Sequence, residues 1–294
     1  MAQTSITLTA SMRSNLSSLK SIQGQMDKTQ ERLSTGKKVN SAIDNASSYY
    51  QSRSLTNRAA DLDSMLDSMG QGIQTIQAAN EGIEAITSFV EQLKSVATSA
   101  SSLDPNATDY ATELGKYEAQ YNAILTEIAT IAKDSGYQGV NLLNNNDLTV
   151  MFNESRTHSL TVAGQDVTTE MTSVAAEAAA SFTWTDGAGD VEWVADDNTV
   201  VDGAVEAALD DIVSVTNYLR GFATELGNNF TIIETRQNFT EAMIDVLETG
   251  SDNLVLADMN EESANYLALQ TRQQLAVNSL ALASQSAQSV LSLF

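Results

Sequence analysis

The sequence predicts a mainly α-helical protein: a long heptad-patterned helical bundle with paired terminal helices and a small outer insert that contains a β-hairpin. Three observations predict this fold class. Hydrophobic residues recur at heptad spacing in several long runs. Only one proline and 6% aromatic residues occur in 294 residues, which favours long helices over a β-rich fold. The hydrophobic content of 42% is enough for a core.

The prediction starts from the longest heptad run, residues 55–100. Every seventh position holds an apolar residue: Leu55, Leu62, Met69, Ile76, Ile83, Val90 and Ala97. The positions between them are mostly polar or acidic, so a helix here has one apolar stripe. About 46 residues of helix span roughly 70 Å at ~1.5 Å per residue, too long for one compact domain. Because one helix cannot bury its stripe alone, the run requires partner helices.

Two later heptad runs supply these partners. Asp104 as N-cap and Pro105 as the first helical residue predict the start of the first partner helix, and Gly136 predicts its end. The second partner helix covers residues 209–247. We expect residues 250–253 to interrupt it, because they combine glycine with short polar side chains.

The segment between the partner helices changes from helical to strand period. Residues 148–152 and 159–163 are β-prone runs around a polar turn, which predicts a hairpin. Residues 166–211 contain twelve acidic residues and no basic one. We expect a loop-rich segment on the outer surface, with a second hairpin near Phe182–Val194.

Both chain ends are apolar and poor in charge. The first end carries a thin heptad run after residue 10, and the last helix is expected from about residue 254, with Arg272 as its only charge beyond residue 262. The candidate polymerisation residues on these two limbs are Met12, Leu16, Leu19, Met26, Leu33, Leu267, Leu275, Leu282, Val290, Leu293 and Phe294.

These terminal limbs have no place in a core made by the three inner helices. We expect them to meet as an antiparallel pair. We also expect them to stay disordered in the free subunit and to fold when neighbouring copies surround them, because exposed apolar limbs promote aggregation. A head-to-tail interface that does not close gives a helical filament. The pattern therefore predicts a self-assembling subunit.

An irregular connector separates the first limb from the long helix. Gly36 ends the first heptad run, and the stretch from Asn40 through Asp44 to Asn45 is rich in short polar side chains that can cap the next helix. Gly36, Asn40 and Asp44 are the candidate connector residues.

Composition argues against several classes of function. The chain has no Cys and a single His, His158, so it lacks a thiol nucleophile and a zinc site is nearly excluded. No nucleophile–base pair can be assembled, and no catalytic, cofactor-binding or metal-ligating residue is predicted. The net charge of −23 argues against nucleic acid as a partner. No run approaches the ~18 apolar residues of a membrane span, so no membrane insertion is expected.

The charge is unevenly distributed along the chain. Residues 1–58 hold eight basic and three acidic residues, a net +5, so the remainder carries −28. This asymmetry has two interpretations: a basic first limb that docks on acidic surface of its own or a neighbouring copy, or solvated faces of unequal charge. The first ten residues lack the basic and apolar regions of a cleaved Sec signal.

Three segments at the two ends match the motifs of a known family. They are ERLSTGKKVNSAIDNA at residues 31–46, LADMNEESAN at residues 256–265 and QSVLSLF at residues 288–294. In these motifs the sequence resembles bacterial flagellin. The similar parts cover about residues 1–143 and 204–294, and two long matched ends are more specific than one short motif.

The resemblance implies five parts of the chain. Residues 1–45 and 251–294 form the limbs of an inner coiled coil. Residues 46–143 and 204–250 form the long helices of the core bundle. Residues 144–203 form the hairpin and a variable, surface-exposed segment.

The resemblance also implies a function. It is that of a structural subunit that polymerises into the secreted, extracellular flagellar filament for swimming motility. The implied partners are copies of the chain, the flagellar type III export apparatus, a flagellin chaperone, and hook-associated and cap proteins. The alternative is the hook–filament junction protein, which usually has a proline after the connector aspartate, whereas Asn45 follows Asp44 here. A helical pore-forming toxin is a third class, but the apolar run that it needs is missing.

One departure from the family pattern concerns immune recognition. Flagellins that activate the Toll-like receptor present an arginine and, three residues later, a glutamate–leucine pair on the first long helix. Alignment on the apolar positions places Gln92, Ser95 and Val96 there. We therefore expect weak or absent receptor activation.

Overall fold

The computed structural model describes residues 10–169, 193–194, 200 and 203–291. Long helices and one hairpin make up its regular structure, which confirms the predicted fold class. The elements are α1 (Ala10–Thr35), α2 (Ala46–Ser101), α3 (Tyr110–Asp134), β1 (Leu148–Met151), β2 (Ser159–Val162), α4 (Ala204–Val255) and α5 (Met259–Leu291).

The chain forms two compact units. Unit 1 contains residues 1–59 and 245–294, and unit 2 contains residues 60–244. Helices α2 and α4 each contribute residues to both units. The terminal helices α1 and α5 belong to unit 1, whereas α3 and the hairpin belong to unit 2.

The core of unit 2 is built from the heptad positions of α2, α3 and α4. In α2, the predicted stripe from Leu62 to Ala97 is buried at every seventh residue. It packs against similar stripes in the other two helices, whose buried residues include Leu114, Tyr121, Leu125, Ile128, Ile212, Leu219, Leu226 and Ile233. Residues three and four apart share a helix face, so this spacing gives each helix one continuous buried row.

The hairpin is present where the sequence predicts it. Strands β1 and β2 pair antiparallel, with Leu148 opposite Val162 and Met151 opposite Ser159. Val150 and Val162 are each 1% exposed and belong to the unit 2 core. The second hairpin expected near Phe182–Val194 lies largely outside the described residues, within which Val194 forms an isolated bridge with Val200.

Two glycines of α2 mark close approaches to other elements. A Cβ at Gly72 would lie 2.7 Å from Val150 Cγ2 of the hairpin. A Cβ at Gly82 would overlap the Ser135 side chain, with its Cβ at 2.7 Å. At Gly70, by contrast, nothing lies within 4 Å. Glycine costs a helix ~1 kcal/mol relative to alanine, and at Gly72 and Gly82 the space it leaves is used for packing.

Two predicted helix boundaries were wrong. Helix α3 begins at Tyr110 rather than at Pro105. Asp104 Oδ1 instead accepts the backbone N–H of Asn106 at 3.0 Å, and the backbone N–H of Ala107 donates to Asp104 O at 3.0 Å. The aspartate thus closes a separate turn before the helix, a conformation that competes with capping.

The second wrong boundary is the expected break at residues 250–253. Helix α4 continues through Gly250 and ends at Val255. The Cβ that Gly250 lacks would lie 3.5 Å from Leu55 Cδ1, so this glycine serves contact between α4 and α2 rather than termination. The last helix accordingly starts at Met259, and Asp258 Oδ1 caps it by accepting the backbone N–H of Asn260 at 2.9 Å.

Candidate polymerisation surfaces

Helices α1 and α5 form an antiparallel pair in unit 1. Arg32 Nη1 donates to Glu262 Oε1 at 2.7 Å, and Gln273 Nε2 donates to Gln23 Oε1 at 2.7 Å. The earlier residue of α1 therefore pairs with the later residue of α5, so the two helices run antiparallel. The predicted meeting of the two chain ends as an antiparallel pair is confirmed.

The pair has its own inner face with few large apolar side chains. The α5 residues described as buried or half-buried recur mostly at three- and four-residue spacing: Glu262, Tyr266, Leu269, Gln273, Ala276, Leu280, Ala283 and Ser284. Their counterparts on α1 are Met12, Asn15, Leu19, Ile22, Met26, Thr29, Arg32 and Leu33. Polar and small residues fill several of these positions, so the pair buries less apolar surface than a leucine-rich coiled coil.

The predicted leucines of α5 lie outside this inner face. Leu267, Leu275 and Leu282 are 63%, 63% and 65% exposed. At about 100° per residue they form a row on the side of α5 that faces away from α1. This leucine row is an apolar surface without a partner in the described part of the subunit.

The remaining candidate residues divide between the two surfaces. Met12 is buried and Leu19, Met26 and Leu33 are half-buried, whereas Leu16 is exposed. Val290 lies within α5, but its side chain is outside the described part of the structure. Leu293 and Phe294 lie outside the described residues.

Asp44 holds the connector together. Its Oδ2 accepts the backbone N–H of Ser41 at 3.0 Å, the backbone N–H of Asn40 at 3.2 Å and the Ser41 hydroxyl at 3.2 Å. These hydrogen bonds, those from the Ser41 and Asn40 backbone above all, hold the pKa of Asp44 below its usual value. Lys28 Nζ lies 3.8 Å from Asp44 Oδ1 and ties the connector to α1.

Backbone hydrogen bonds join the connector to the link between α4 and α5. Gly36 adopts φ +70°, the left-handed conformation that favours glycine. Its carbonyl accepts the N–H of Ala257 at 2.9 Å, and the N–H of Lys38 donates to Val255 O at 2.7 Å. The connector and the link between α4 and α5 are therefore hydrogen-bonded to each other within unit 1.

Comparison with known proteins identifies the family. The model of the bacterial flagellin N-terminal helical region matches residues 6–147, and that of the C-terminal helical region matches residues 209–294. A flagellin of Brucella melitensis is 30% identical over 99% of both chains. The chain belongs to the bacterial flagellin family. The flagellin FljM of Caulobacter vibrioides is 28% identical over the full length of both chains. The crystal structure of Bacillus cereus flagellin has 14% identity and a TM-score of 0.44, and covers 59% of this chain and 88% of that one.

The receptor-motif positions of this flagellin lie on α2 in unit 2. Gln92 and Ser95 are exposed, and Val96 is partly buried against the core. At these predicted motif positions, the two exposed side chains, Gln92 and Ser95, are uncharged.

Neither a metal site nor a membrane span emerges from the described parts of this flagellin. Within residues 10–169, 193–194, 200 and 203–291, no three His, Asp or Glu side chains are grouped closely enough to hold a metal ion. None of the helices that the structure describes combines the length and apolarity needed to cross a membrane.

Sequence analysis missed a buried polar cluster in unit 2. Asp211 is 3% exposed, and neither carboxylate oxygen has a hydrogen-bond partner in the described part of the chain. Burial, with a smaller contribution from the charge of Asp210, raises the pKa of Asp211 to about 6. Burial and the Asp211 charge also raise the pKa of Tyr121. A signal was available: Asp211 lies four residues before the buried Val215, on the inner row of α4.

The same cluster anchors residues 193–194 of the acidic segment. The Trp193 ring is fully buried, with its centroid 5.1 Å from that of Tyr121. Glu118 Oε2 accepts the backbone N–H of Trp193 at 3.1 Å and of Val194 at 2.9 Å. Residues 193–194 are thus fixed to α3 by one carboxylate and one aromatic contact.

Proposed function

We propose that this chain polymerises into the bacterial flagellar filament through its terminal helices. The filament-subunit role follows from membership of the flagellin family, which is a structural family. No observation favours the hook–filament junction alternative. The observation that supports the route of assembly is the leucine row of α5, since a row of exposed leucines opposite the α1 contact needs a partner beyond its own subunit.

The two faces of α5 have different roles in this proposal. The inner face holds α1 and α5 together through Leu269, Gln273 and the Arg32–Glu262 pair. The leucine row contacts neighbouring copies in an inner coiled coil made by residues 1–45 and 251–294. The pair buries little apolar surface by itself, which supports the expectation that both limbs are disordered in the free subunit and order on assembly.

A seeded polymerisation assay tests this proposal. Leu275→Ser removes apolar area from the leucine row, whereas Gln270→Ser changes an exposed residue of α5 outside the row. We expect Leu275→Ser to raise the critical monomer concentration about tenfold, the effect of ~1.4 kcal/mol, and Gln270→Ser to leave it near the wild-type value. Equal behaviour of the two variants would contradict the role of the row.

A truncation extends the test to the whole limb. A chain lacking residues 255–294 loses α5, and we expect it to stop polymerising while unit 2 keeps most of the helical circular dichroism signal. Global unfolding of the truncated chain would show that the limb belongs to the core.

Export and accessory partners form a further part of the proposal. Because the leucine row would be exposed before assembly, a flagellin chaperone that covers the C-terminal limb fits this surface, and the flagellar type III apparatus fits a chain exported with unfolded limbs. Hook-associated and cap proteins would contact the ends of the extracellular filament. Loss of chaperone binding in the chain that lacks residues 255–294, measured by calorimetry, is the expected result.

Weak or absent activation of the Toll-like receptor is also proposed. The exposed side chains of Gln92 and Ser95 are uncharged, so these positions lack the charges of the activating motif. A reporter-cell response to the purified subunit that equals the response to a potent flagellin would refute this.

A further inference from the structure

One carboxylate is buried in the core of unit 2 without a hydrogen-bond partner. Asp211 of α4 is 3% exposed, and it is the only charged residue among the buried residues that the structure describes in unit 2. Neither of its oxygens accepts a hydrogen bond in that part of the chain. A carboxylate that is charged here has lost its hydration and has gained no donor in exchange. The neutral, protonated form therefore suits the folded core better.

Residues 193–194 are attached to the bundle beside this carboxylate. The Trp193 ring packs on the Tyr121 ring, with the two centroids 5.1 Å apart. Burial and then the charge of Asp211 raise the pKa of Tyr121, so Asp211 also lies near this ring. The Nε1–H of Trp193 is buried and has no acceptor in the described part of the chain. Because Trp193 is fully buried, its departure would admit water to this part of the core and hydrate the Asp211 carboxylate.

We propose that protonation of Asp211 strengthens the attachment of residues 193–194 to the bundle, which makes this contact a pH-sensitive anchor of the acidic segment. When Asp211 is neutral, Trp193 stays buried against Tyr121. When Asp211 is ionised, its carboxylate gains hydration if Trp193 leaves, so detachment becomes more frequent. The anchor is a property of the single subunit and goes beyond the proposed assembly.

The titratable groups on α3 and α4 leave the Asp211 carboxylate without a positive partner. Asp210 precedes it on α4, is exposed, and adds like charge to the effect of burial. Tyr121 on α3 is neutral in its raised-pKa state. Glu118, also on α3, accepts the backbone N–H groups of residues 193–194 through Oε2 at 3.1 and 2.9 Å. These groups either repel the charge of Asp211 or hold the anchor itself.

The other elements supply no counter-charge either. Every charged residue of α2 that belongs to unit 2 is exposed. Residues 166–211 contain no basic residue. Glu192 and Asp196 flank the anchor in the sequence and lie outside the described residues. Both are acidic, so they do not favour ionisation of Asp211.

The direction of the pH dependence follows from the two states of the anchor. Burial, followed by the charge of Asp210, raises the pKa of Asp211 from 3.8 to about 6 while Trp193 is in place. The attached state therefore binds this proton more tightly than a detached state with a hydrated carboxylate. The gain in attachment is complete below pH 3.8 and is lost as the pH rises through about 6. Between pH 5 and pH 8 the ratio of attached to detached molecules should fall about tenfold.

Hydrogen exchange of the full-length monomeric chain tests the anchor. The backbone amides of Trp193 and Val194, whose acceptor is Glu118, report detachment. After correction for intrinsic exchange rates, we expect their protection to be about tenfold higher at pH 5 than at pH 8. At both pH values they should be less protected than the amide of Ile128 in α3, because detachment is a local opening.

Two results of this measurement would overturn the proposal. Protection of residues 193–194 that is equal at both pH values, or higher at pH 8, would show that ionised Asp211 does not weaken the anchor. Donation from Trp193 Nε1 to the ionised carboxylate would give the second of these outcomes. Protection equal to that of Ile128 at both pH values would show that residues 193–194 open only when the whole unit unfolds.

A pair of matched variants assigns the effect to its residue. Asp211→Asn removes the titrating group, so the protection of residues 193–194 should differ by less than about twofold between the two pH values. Glu206→Gln removes an exposed acid of the same helix and should keep the tenfold difference. A tenfold difference that persists in Asp211→Asn would overturn the proposal. Circular dichroism checks the fold of each variant, and the wild-type comparison stands without them. None of these measurements needs a filament, so a failure of polymerisation would leave their outcome unaffected.

Discussion

The helical bundle of unit 2 and the terminal pair of unit 1 use the same heptad spacing but bury very different side chains. The largest fully buried side chains in the described residues, among them Met69, Tyr121 and Leu219, all belong to unit 2. In the described part of the terminal pair, the buried apolar residues are Met12 and Leu269, each 8% exposed, whereas Leu267, Leu275 and Leu282 of α5 are exposed. Heptad spacing thus predicts a helix face, whereas the side chains on that face determine whether the subunit can bury it alone.

The strongest test of this comparison is a cavity in the bundle. Ile128 of α3 is 0% exposed, so Ile128→Ala removes packed methyl groups and should lower the free energy of unfolding by about 2–5 kcal/mol. Leu267→Ala, on the exposed leucine row, should change it by less than about 0.5 kcal/mol. Denaturant unfolding followed by circular dichroism measures both changes, and similar values would mean that the leucine row is buried within its own subunit.

The glycines of α2 sharpen the comparison within the bundle. Gly82→Ala should destabilise unit 2 by about 1–3 kcal/mol, because the new Cβ overlaps Ser135 and meets Leu143. Gly70→Ala has nothing within 4 Å and should stabilise the helix by up to ~1 kcal/mol. Opposite signs in thermal unfolding are the expected result, and stabilisation by both variants would disprove the close packing at Gly82.

The Arg32–Glu262 ion pair of unit 1 should contribute less to the free energy of unfolding than the core of the bundle does. Glu262→Gln leaves the partly buried Arg32 without its charged partner and should destabilise the α1–α5 pair by about 1–2 kcal/mol. Hydrogen exchange of α1 and α5 amides in assembled filaments should become faster, while α3 amides stay protected. Unchanged exchange in α5 would show that the pair is held by other contacts.

The smallest effect should come from the buried carboxylate of unit 2. Burial raises the pKa of Asp211 from 3.8 to about 6, so the folded state binds this proton more tightly than the unfolded state. The stabilising contribution of the protonated form is complete below pH 3.8 and is lost as the pH rises through about 6. Asp211→Asn should therefore raise the unfolding free energy by about 1 kcal/mol at pH 7.5 and change it little at pH 3.5. A gain of equal size at both values would assign the effect to packing rather than to ionisation.

The sequence predicted the helices and their buried rows because apolar spacing directly reflects which face of a helix is covered. The prediction failed at positions where the same local sequence fits two different structures. Asp104 and Pro105 suit a helix start but form a turn, and Gly250 suits a helix end but serves a contact in mid-helix. These choices depend on what lies nearby in space, which local sequence does not contain.

The candidate surfaces show a similar limit. The sequence analysis chose Leu267, Leu275 and Leu282 as polymerisation residues, and the structure leaves them exposed. It did not single out the residues of α5 that contact α1, which include Tyr266, Leu269 and Gln273. Asp211 was missed because it was grouped with the acidic segment by composition, although its spacing from Val215 placed it on the inner row. Spacing would have been the better guide in both cases.

The ion pair between Arg32 and Glu262 joins residues that are 230 positions apart in the chain. During translation the ribosome makes Arg32 230 residues before Glu262, so α1 has no partner helix over that whole stretch of synthesis. A nascent chain that has not yet reached Glu262 therefore cannot form the terminal pair. Synthesis of α5 sets the earliest point at which the two helices can associate.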